Sequence, residues 1–166
     1  MGDNKNEIEV RIGEMQVAKA PVILKSLLGS CVAVILYDKI NRVGGLAHIF
    51  LPKKSMNPKN EVHPDSRYAD TAVPRLLSEV LQIGAEKRNL VAYMVGGNKV
   101  LTVKKASSGP TVAEQNIIAS QEAIAKENLF MINLGVGKDT GSKVKINLST
   151  GDIEVLEIKK YDQIET

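Results

Sequence analysis

Cys31 and His48 are the two residues of this chain whose side chains could combine as a nucleophile and its base. A cysteine attacks carbonyl carbons as a thiolate, and a neutral imidazole can take the thiol proton. Gly29 and Ser30 come directly before the cysteine, and a run of free backbone N–H groups there would lower the thiol pKa and bind an oxyanion. The combination favours acyl-transfer chemistry at Cys31.

Each residue also has a purely structural interpretation. Free cysteine is among the most buried residue types and often packs as a small apolar side chain. His48 interrupts the otherwise apolar segment GLAHIFLP, where a buried neutral histidine needs a partner for each ring nitrogen. Local chemistry alone therefore leaves both interpretations open.

A β-hairpin would bring the two side chains together. Residues 32–37 are apolar throughout, as expected for a strand buried on both faces, and residues 43–51 form a second apolar run after a polar turn. If paired residue numbers sum to 79, Cys31 lies opposite His48 with the Cβ atoms about 5 Å apart on one face. A slip of one residue would place them on opposite faces, so this register is a hypothesis.

The remaining pattern predicts an α+β fold: a mixed β-sheet sandwich with helices packed on the outside. One helix is predicted at 71–83, with Thr71 as N-cap, Pro74 in the first turn and Gly84 as C-terminal cap. A second helix begins at Thr111, where TVAE reads as a capping box. Further extended segments are predicted at 7–12, 15–22, 90–95, 129–134, 144–148 and 153–158.

Length and composition favour one globular domain over 1–166, with an ordered core at about 8–158. The chain has 166 residues, 43% of them hydrophobic and 25% charged. Its 22 basic residues are interspersed with 19 acidic ones and it has no tryptophan, which disfavours nucleic-acid binding. The lone cysteine and the lack of a signal-peptide core or long uncharged apolar run predict a cytosolic protein without membrane insertion.

Other apparent motifs do not survive inspection. GVGKDTGS lacks the upstream glycine and the Ser or Thr of a phosphate-binding loop, and its DTG triplet is best explained as a turn. One cysteine and two histidines without metal-ligand spacing predict no metal site and no cofactor. His63 is most simply an exposed loop residue.

The chain carries, in this order, the blocks LGSCVAVILYD, GGLAHIFLP, RYADTAV, Gly96-Gly97 and DTGSKVKINLSTGDIEV. Taken together, these blocks resemble the CheD family of chemoreceptor glutamine deamidases over about 8–158. The resemblance implies that Cys31 is the nucleophile and His48 the general base and acid. It implies a chemoreceptor cytoplasmic helical bundle as substrate and a CheC-type phosphatase as a possible partner, and the same groups could hydrolyse a glutamyl methyl ester. Nothing requires more than a monomer.

The chain departs from the family pattern at a few positions. The family carries a threonine shortly before the cysteine, where this chain has Lys25 and then Ser26, whose hydroxyl could orient His48. Asn98 and Leu101 replace a small and an aromatic residue, and Gln115 replaces an arginine. Because this region is linked to substrate and partner contacts, an altered choice of partner is expected.

Two other functions remain open from the sequence. One is a non-catalytic docking module that keeps the fold and binds the phosphatase or the receptor. The other is a cysteine hydrolase that acts on a different amide or ester.

Overall fold

The computed structural model describes residues 6–56, 65–99 and 109–158, and in these ranges the chain forms nine strands and two α-helices. His63 and Leu101, singled out above, lie outside them. The helices are α1 (Ala69–Gln82) and α2 (Val112–Lys126). The strands are β1 (Glu7–Glu9), β2 (Met15–Lys19), β3 (Ile23–Leu28), β4 (Val32–Asp38), β5 (Val43–Ile49), β6 (Leu90–Gly96), β7 (Phe130–Val136), β8 (Gly141–Asn147) and β9 (Ile153–Ile158).

The strands form two mixed sheets, and the predicted α+β class is confirmed. The five-stranded sheet has the order β2-β5-β4-β6-β7 and the four-stranded sheet the order β1-β3-β8-β9. Helices α1 and α2 pack on one face of the five-stranded sheet, and the other sheet covers its second face. The helices therefore lie on the outside, as predicted, and one apolar core fills each of the two interfaces.

Strand β4 lies at the centre of these layers and is buried along its whole length, as the apolar pattern predicts. Val32, Val34 and Leu36 point toward the helices, while the alternate residues point toward the four-stranded sheet. Fully burying each such aliphatic side chain contributes about 1.5–3 kcal/mol. This fully buried strand fixes the positions of the segment with Cys31 before it and of the turn after Asp38.

The β4–β5 hairpin forms, but the predicted register is wrong by two residues. Paired residue numbers sum to 81 rather than 79, so His48 lies opposite Ala33. A shift by an even number preserves the face on which each side chain lies. Cys31 and His48 therefore still share the face toward the four-stranded sheet, as diagonal neighbours rather than as a direct pair.

The turn explains the difference in register. The carboxylate of Asp38 accepts hydrogen bonds from the backbone N–H groups of Ile40 and Asn41, both at 2.9 Å. This side-chain cap closes a turn of residues 39–42 directly after Asp38, which pairs with Val43. Strand β4 consequently runs further along the chain than its apolar residues indicate.

Helix α1 begins earlier than predicted. Tyr68, not Thr71, is the N-cap, because residue 68 forms a bridge to Leu51 and the helix starts directly after it. The hydroxyl of Thr71 instead donates to the backbone oxygen of Asp65 at 2.6 Å. Pro74 therefore lies in the second turn and not the first, which removes one helical N–H donor.

The other predicted helix ends are confirmed. Gly84 follows the last residues of α1 with a φ of +116° and donates its N–H to the oxygen of Leu81. Thr111 and Glu114 form the predicted capping box at the start of α2. Within the ranges described, neither helix is both long and apolar enough to cross a membrane.

Candidate active site

Strand β3 carries Ser26 into the space between the two sheets. Its residues alternate, so Leu24, Ser26 and Leu28 are buried while Lys25 points outward. The ammonium group of Lys25 pairs with Glu7 at 3.0 Å. Lys25 and Ser26 occupy the part of the chain where the family carries a threonine, and of these two residues Ser26 is the one that reaches the candidate site.

His48, Ser26 and the backbone oxygen of Val10 form a compact hydrogen-bond network. The Ser26 Oγ lies 2.7 Å from Nδ1 of His48 and 2.6 Å from the oxygen of Val10, to which it donates. Nδ1 also lies 3.1 Å from that oxygen. Because a carbonyl oxygen only accepts, these contacts assign the proton to Nδ1, which leaves Nε2 as the basic nitrogen.

Nε2 of His48 is buried and, among the described residues, has no hydrogen-bond partner. Burial lowers the pKa of the imidazole, against the opposing effects of the Val10 oxygen and of Glu14. The ring is therefore neutral at physiological pH. An unpaired buried acceptor is costly, so its presence calls for an explanation.

Cys31 lies just before β4, on the face that carries His48, and is 5% exposed. Burial raises the pKa of its thiol to about 11. The expectation that neighbouring N–H groups lower this pKa is therefore wrong, because desolvation of the thiolate is the larger effect. At neutral pH the cysteine is a protonated thiol on the same face of the hairpin as a neutral imidazole, and the two are not hydrogen-bonded.

The backbone before the cysteine presents several unused donors. Among the described residues, none accepts a hydrogen bond from the N–H groups of Gly29, Ser30 or Cys31. Ser30 is exposed and Gly29 partly so, whereas Cys31 is buried, so this run of N–H groups leads from the surface to the thiol. Three consecutive N–H groups beside a thiol can together stabilise a negatively charged oxygen.

Gly96 allows β6 to pass close to the cysteine. It has a φ of +105°, and a Cβ atom at this position would collide with the backbone oxygen of Cys31. Gly97 donates its N–H to that oxygen at 2.7 Å. The Gly-Gly pair thus holds the residue that precedes β4 against the neighbouring strand.

Sequence reasoning misses several groups at this site. Val10 contributes only a backbone oxygen, so no side chain marks it. The sequence pattern does not predict β3, because Lys25 and Ser26 interrupt its apolar residues. Asn98 and Asn116, whose amides contact the segment before Cys31, carry no motif that would join them to it.

The described ranges contain no candidate metal site, because no three His, Cys, Asp or Glu side chains in them lie close enough together to bind one metal ion. What the site combines is a thiol, a neutral base with its proton fixed on the far nitrogen, and a set of backbone donors. Such an arrangement can perform nucleophilic attack on an amide or ester carbonyl.

Comparisons with known proteins place this site in a family context. A family model described as "CheD chemotactic sensory transduction" matches residues 50–157. The chain is similar to proteins named "Probable chemoreceptor glutamine deamidase CheD" from several organisms. It is 40% identical to the one from Methanococcus maripaludis (strain C6) over 148 residues, which cover 89% of this chain and 93% of the relative.

More distant relatives carry the same name. The protein from Clostridium kluyveri is 34% identical over 152 residues, 90% of this chain and 91% of its own. The protein from Thermococcus kodakarensis is 31% identical over 160 residues, 96% of this chain and 98% of its own. The matched part of the family model begins after Cys31 and His48, so the roles of these two residues rest on the geometry above.

Proposed function

Because the chain belongs to the CheD family, we propose that it is a protein-glutamine deamidase that converts specific glutamines of chemoreceptors to glutamate. The observation that carries the proposal is the unpaired Nε2 of His48 on the face shared with Cys31, with the proton of the imidazole held on Nδ1. A base fixed in this tautomer is suited to take the proton of a neighbouring thiol.

The first step is attack by sulfur. The Sγ of Cys31 bonds to the carboxamide carbon of the glutamine while its proton passes to Nε2 of His48. Because the thiol pKa is raised and the imidazole pKa lowered, the proton moves during the attack and not before it. The carbonyl oxygen gains negative charge, which the N–H groups of residues 29–31 stabilise.

The second half releases ammonia and then glutamate. The protonated imidazole donates its proton to the amide nitrogen, and the carbon–nitrogen bond breaks to leave a thioester on Cys31. Water then loses a proton to Nε2 of His48 as it attacks the thioester carbon, the carbon–sulfur bond breaks, and the imidazolium returns the proton to Sγ, which restores the thiol. A glutamyl methyl ester would follow the same course with methanol as the leaving group.

Ser26 and the oxygen of Val10 are positioning groups in this scheme. They hold the imidazole by Nδ1 and stabilise the imidazolium that forms during attack, because both accept from its N–H. This gives the Ser26 hydroxyl the orienting function that the resemblance implies for a threonine.

The proposed substrate is the cytoplasmic helical bundle of a chemoreceptor, on which the protein acts as a monomer in the cytoplasm. Each turnover replaces a neutral carboxamide by a carboxylate, and the added charge shifts the signalling equilibrium of the bundle. A CheC-type phosphatase is a proposed partner.

Mass spectrometry of receptor fragments tests the proposal. Incubation with the wild-type protein should add about 1 Da per modified glutamine, and Cys31→Ala and His48→Ala should abolish the gain. Ile40→Ala, at an exposed position in the turn after β4, is the control and should retain full activity. Deamidation that persists in Cys31→Ala would refute the nucleophile.

A docking module is the second candidate, and the burial of the thiol favours it. A thiol with a pKa of about 11 is a poor nucleophile until its proton is removed. Tight binding of a receptor fragment or a CheC-type phosphatase, with no deamidation and no ester hydrolysis by the wild-type protein, would support this function over the first.

A further inference from the structure

Asn98 joins three segments beside the candidate nucleophile. Its backbone N–H donates to the oxygen of Gly29 at 2.8 Å, and its side-chain Nδ2 contacts the oxygen of Leu28 at 3.4 Å. The same Nδ2 donates to the hydroxyl of Ser142 at 3.1 Å, and Oδ1 accepts from the N–H of Lys138 at 3.2 Å. The residue is 1% exposed, so the segment before Cys31 is tied to the start of β8 from within.

Asn116 reaches the next carbonyl from helix α2. Its Nδ2 donates to the oxygen of Ser30 at 3.2 Å and to the oxygen of Phe50 at 3.1 Å. The residue is fully buried. Burying an amide costs free energy unless it is hydrogen-bonded, so the two bonds of Nδ2 hold this side chain against the backbone oxygens, while its Oδ1 has no partner among the described residues.

The two asparagines therefore hold the carbonyls of residues 28, 29 and 30 in succession. In a trans peptide group the C=O and the following N–H point in opposite directions. Fixing these three carbonyls toward the protein interior turns the N–H groups of residues 29, 30 and 31 the other way. Those are the N–H groups for which the described residues offer no acceptor.

We propose that Asn98 and Asn116 are positioning residues that aim these three N–H groups at the oxyanion of the tetrahedral intermediate. The inference rests on the proposed acyl-transfer function of Cys31, and it assigns the direction of the donors to the two asparagine side chains, which hold the carbonyls of Leu28 and Ser30, and to the backbone N–H of Asn98, which holds that of Gly29. A donor must be aligned before the reaction to stabilise developing charge, because reorienting it afterwards costs part of the gain.

Two reactions of the same thiol separate this role from a general structural one. In acylation by 4-nitrophenyl acetate, Sγ bonds to the acetyl carbon, the thiol proton passes to His48, and 4-nitrophenolate leaves through an oxyanion intermediate. In alkylation by iodoacetamide, Sγ displaces iodide from carbon and no oxyanion forms. Only the first reaction needs the aligned N–H groups.

The variants are Asn98→Ala and Asn116→Ala, with Asn133→Ala as the matched control on the exposed edge strand β7. Burst acylation of Cys31, measured by mass spectrometry, should fall at least tenfold in each variant, since loss of one such donor costs about 10²–10³ in rate. Alkylation should stay within about twofold of wild type, and Asn133→Ala should change neither rate. On a receptor fragment, kcat should fall with little change in KM.

Acylation and alkylation that fall in parallel would overturn the proposal, as would acylation that does not fall. Thermal unfolding of each variant identifies loss of the fold, and Asn98→Ser keeps a hydrogen-bonding group at that position if alanine is not tolerated. In a third outcome, Cys31 of the wild type is acylated, the two alanine variants slow this acylation as predicted, and the wild type deamidates no receptor fragment. That outcome would refute the proposed substrate and leave this inference standing.

Discussion

The two ends of strand β4 treat buried polar groups in opposite ways. At its last residue, the fully buried carboxylate of Asp38 accepts from the backbone N–H of Ile40, Asn41 and Glu86 and from the side chains of Asn41 and Asn89. Five donors satisfy the two carboxylate oxygens. At this end of the strand, the hydrogen bonds of Asp38 close the turn and join it to the loop after α1.

At the other end, the carbonyls of residues 28–31 are hydrogen-bonded, but two kinds of polar group stay unpaired. Nε2 of His48 has no partner among the described residues, and neither do the N–H groups that precede β4. A buried unsatisfied group costs about 1–3 kcal/mol. The two ends of one strand therefore differ: the Asp38 end stabilises the fold, whereas the Cys31 end leaves the groups of the candidate site unpaired, and the buried Nε2 of His48 carries a cost in stability.

Cys31→Ala is expected to show the difference between the two ends of β4 most clearly, because it should change activity far more than stability. Receptor deamidation should fall by about 10³-fold or more, because the covalent intermediate can no longer form. The free energy of unfolding should change by less than about 1 kcal/mol, since alanine keeps most of the buried volume. Mass spectrometry and urea unfolding measure the two effects, and a large loss of stability with residual activity would contradict this division of roles.

The rate of alkylation of Cys31 is the next test. With a pKa of about 11 against an ordinary value of 9.0, the thiolate fraction near pH 7.5 is about a hundredfold smaller than for an ordinary thiol. Iodoacetamide should therefore react slowly, and its rate should rise about tenfold per pH unit through pH 9.5 without reaching a plateau. A plateau below pH 8.5 would show that the thiol is activated in the free protein.

Asp38→Ala is expected to have the opposite effect to Cys31→Ala. Removing the acceptor should lower the free energy of unfolding by about 2 kcal/mol, because several buried N–H groups lose their partner. Activity per folded molecule should be unchanged. Asp152→Ala, at an exposed turn position, is the control and should unfold like the wild type.

The same carboxylate makes the free energy of unfolding depend on pH in the acid range. Burial alone raises the pKa of Asp38, but the hydrogen bonds from Asn41, Glu86 and Asn89 together outweigh it and hold the pKa below its ordinary value of 3.8. Its contribution is therefore fully present above that value and is lost as the pH falls through the lower pKa of the folded state. In Asp38→Ala the unfolding free energy should decline less between pH 5 and pH 2.

Ser26→Ala is the smallest of the expected effects on activity. The imidazole keeps its contact with the Val10 oxygen but loses the hydroxyl, so kcat should fall by about tenfold with KM unchanged. Ser26→Thr should restore most of the rate, because it returns the hydroxyl. A Ser26→Ala variant with wild-type kcat would show that Val10 alone orients the base.

The sequence predicts local features of this fold well and distant ones poorly. The apolar pattern of β4 and the capping box at Thr111 are encoded by adjacent residues, and both are confirmed. The hairpin register depends on where Asp38 closes the turn, which the apolar pattern does not reveal. Strand β3 is missed because its apolar alternation is broken by Ser26, the polar residue that contacts His48.

The candidate site shows the same division. Cys31 and His48 attract attention as residue types, and their common face follows from strand alternation even with the register wrong. Asn98 and Asn116 lie far along the chain from residues 28–30, and only the packing of β6 and α2 brings their amides to those carbonyls. The raised thiol pKa likewise follows from burial, which no short motif encodes.

The oxygen of Val10 is a main-chain atom, and this limits which mutations can remove it. Every amino acid carries a carbonyl, so no amino-acid substitution at position 10 deletes the oxygen that accepts from Nδ1 of His48. What can remove it is displacement of the segment, which β1 and the bond from the Val10 N–H to Lys25 attach to β3. An expression clone whose start site falls after residue 10 would retain Cys31, His48 and Ser26 and yet lack one of the two groups that contact Nδ1 of His48.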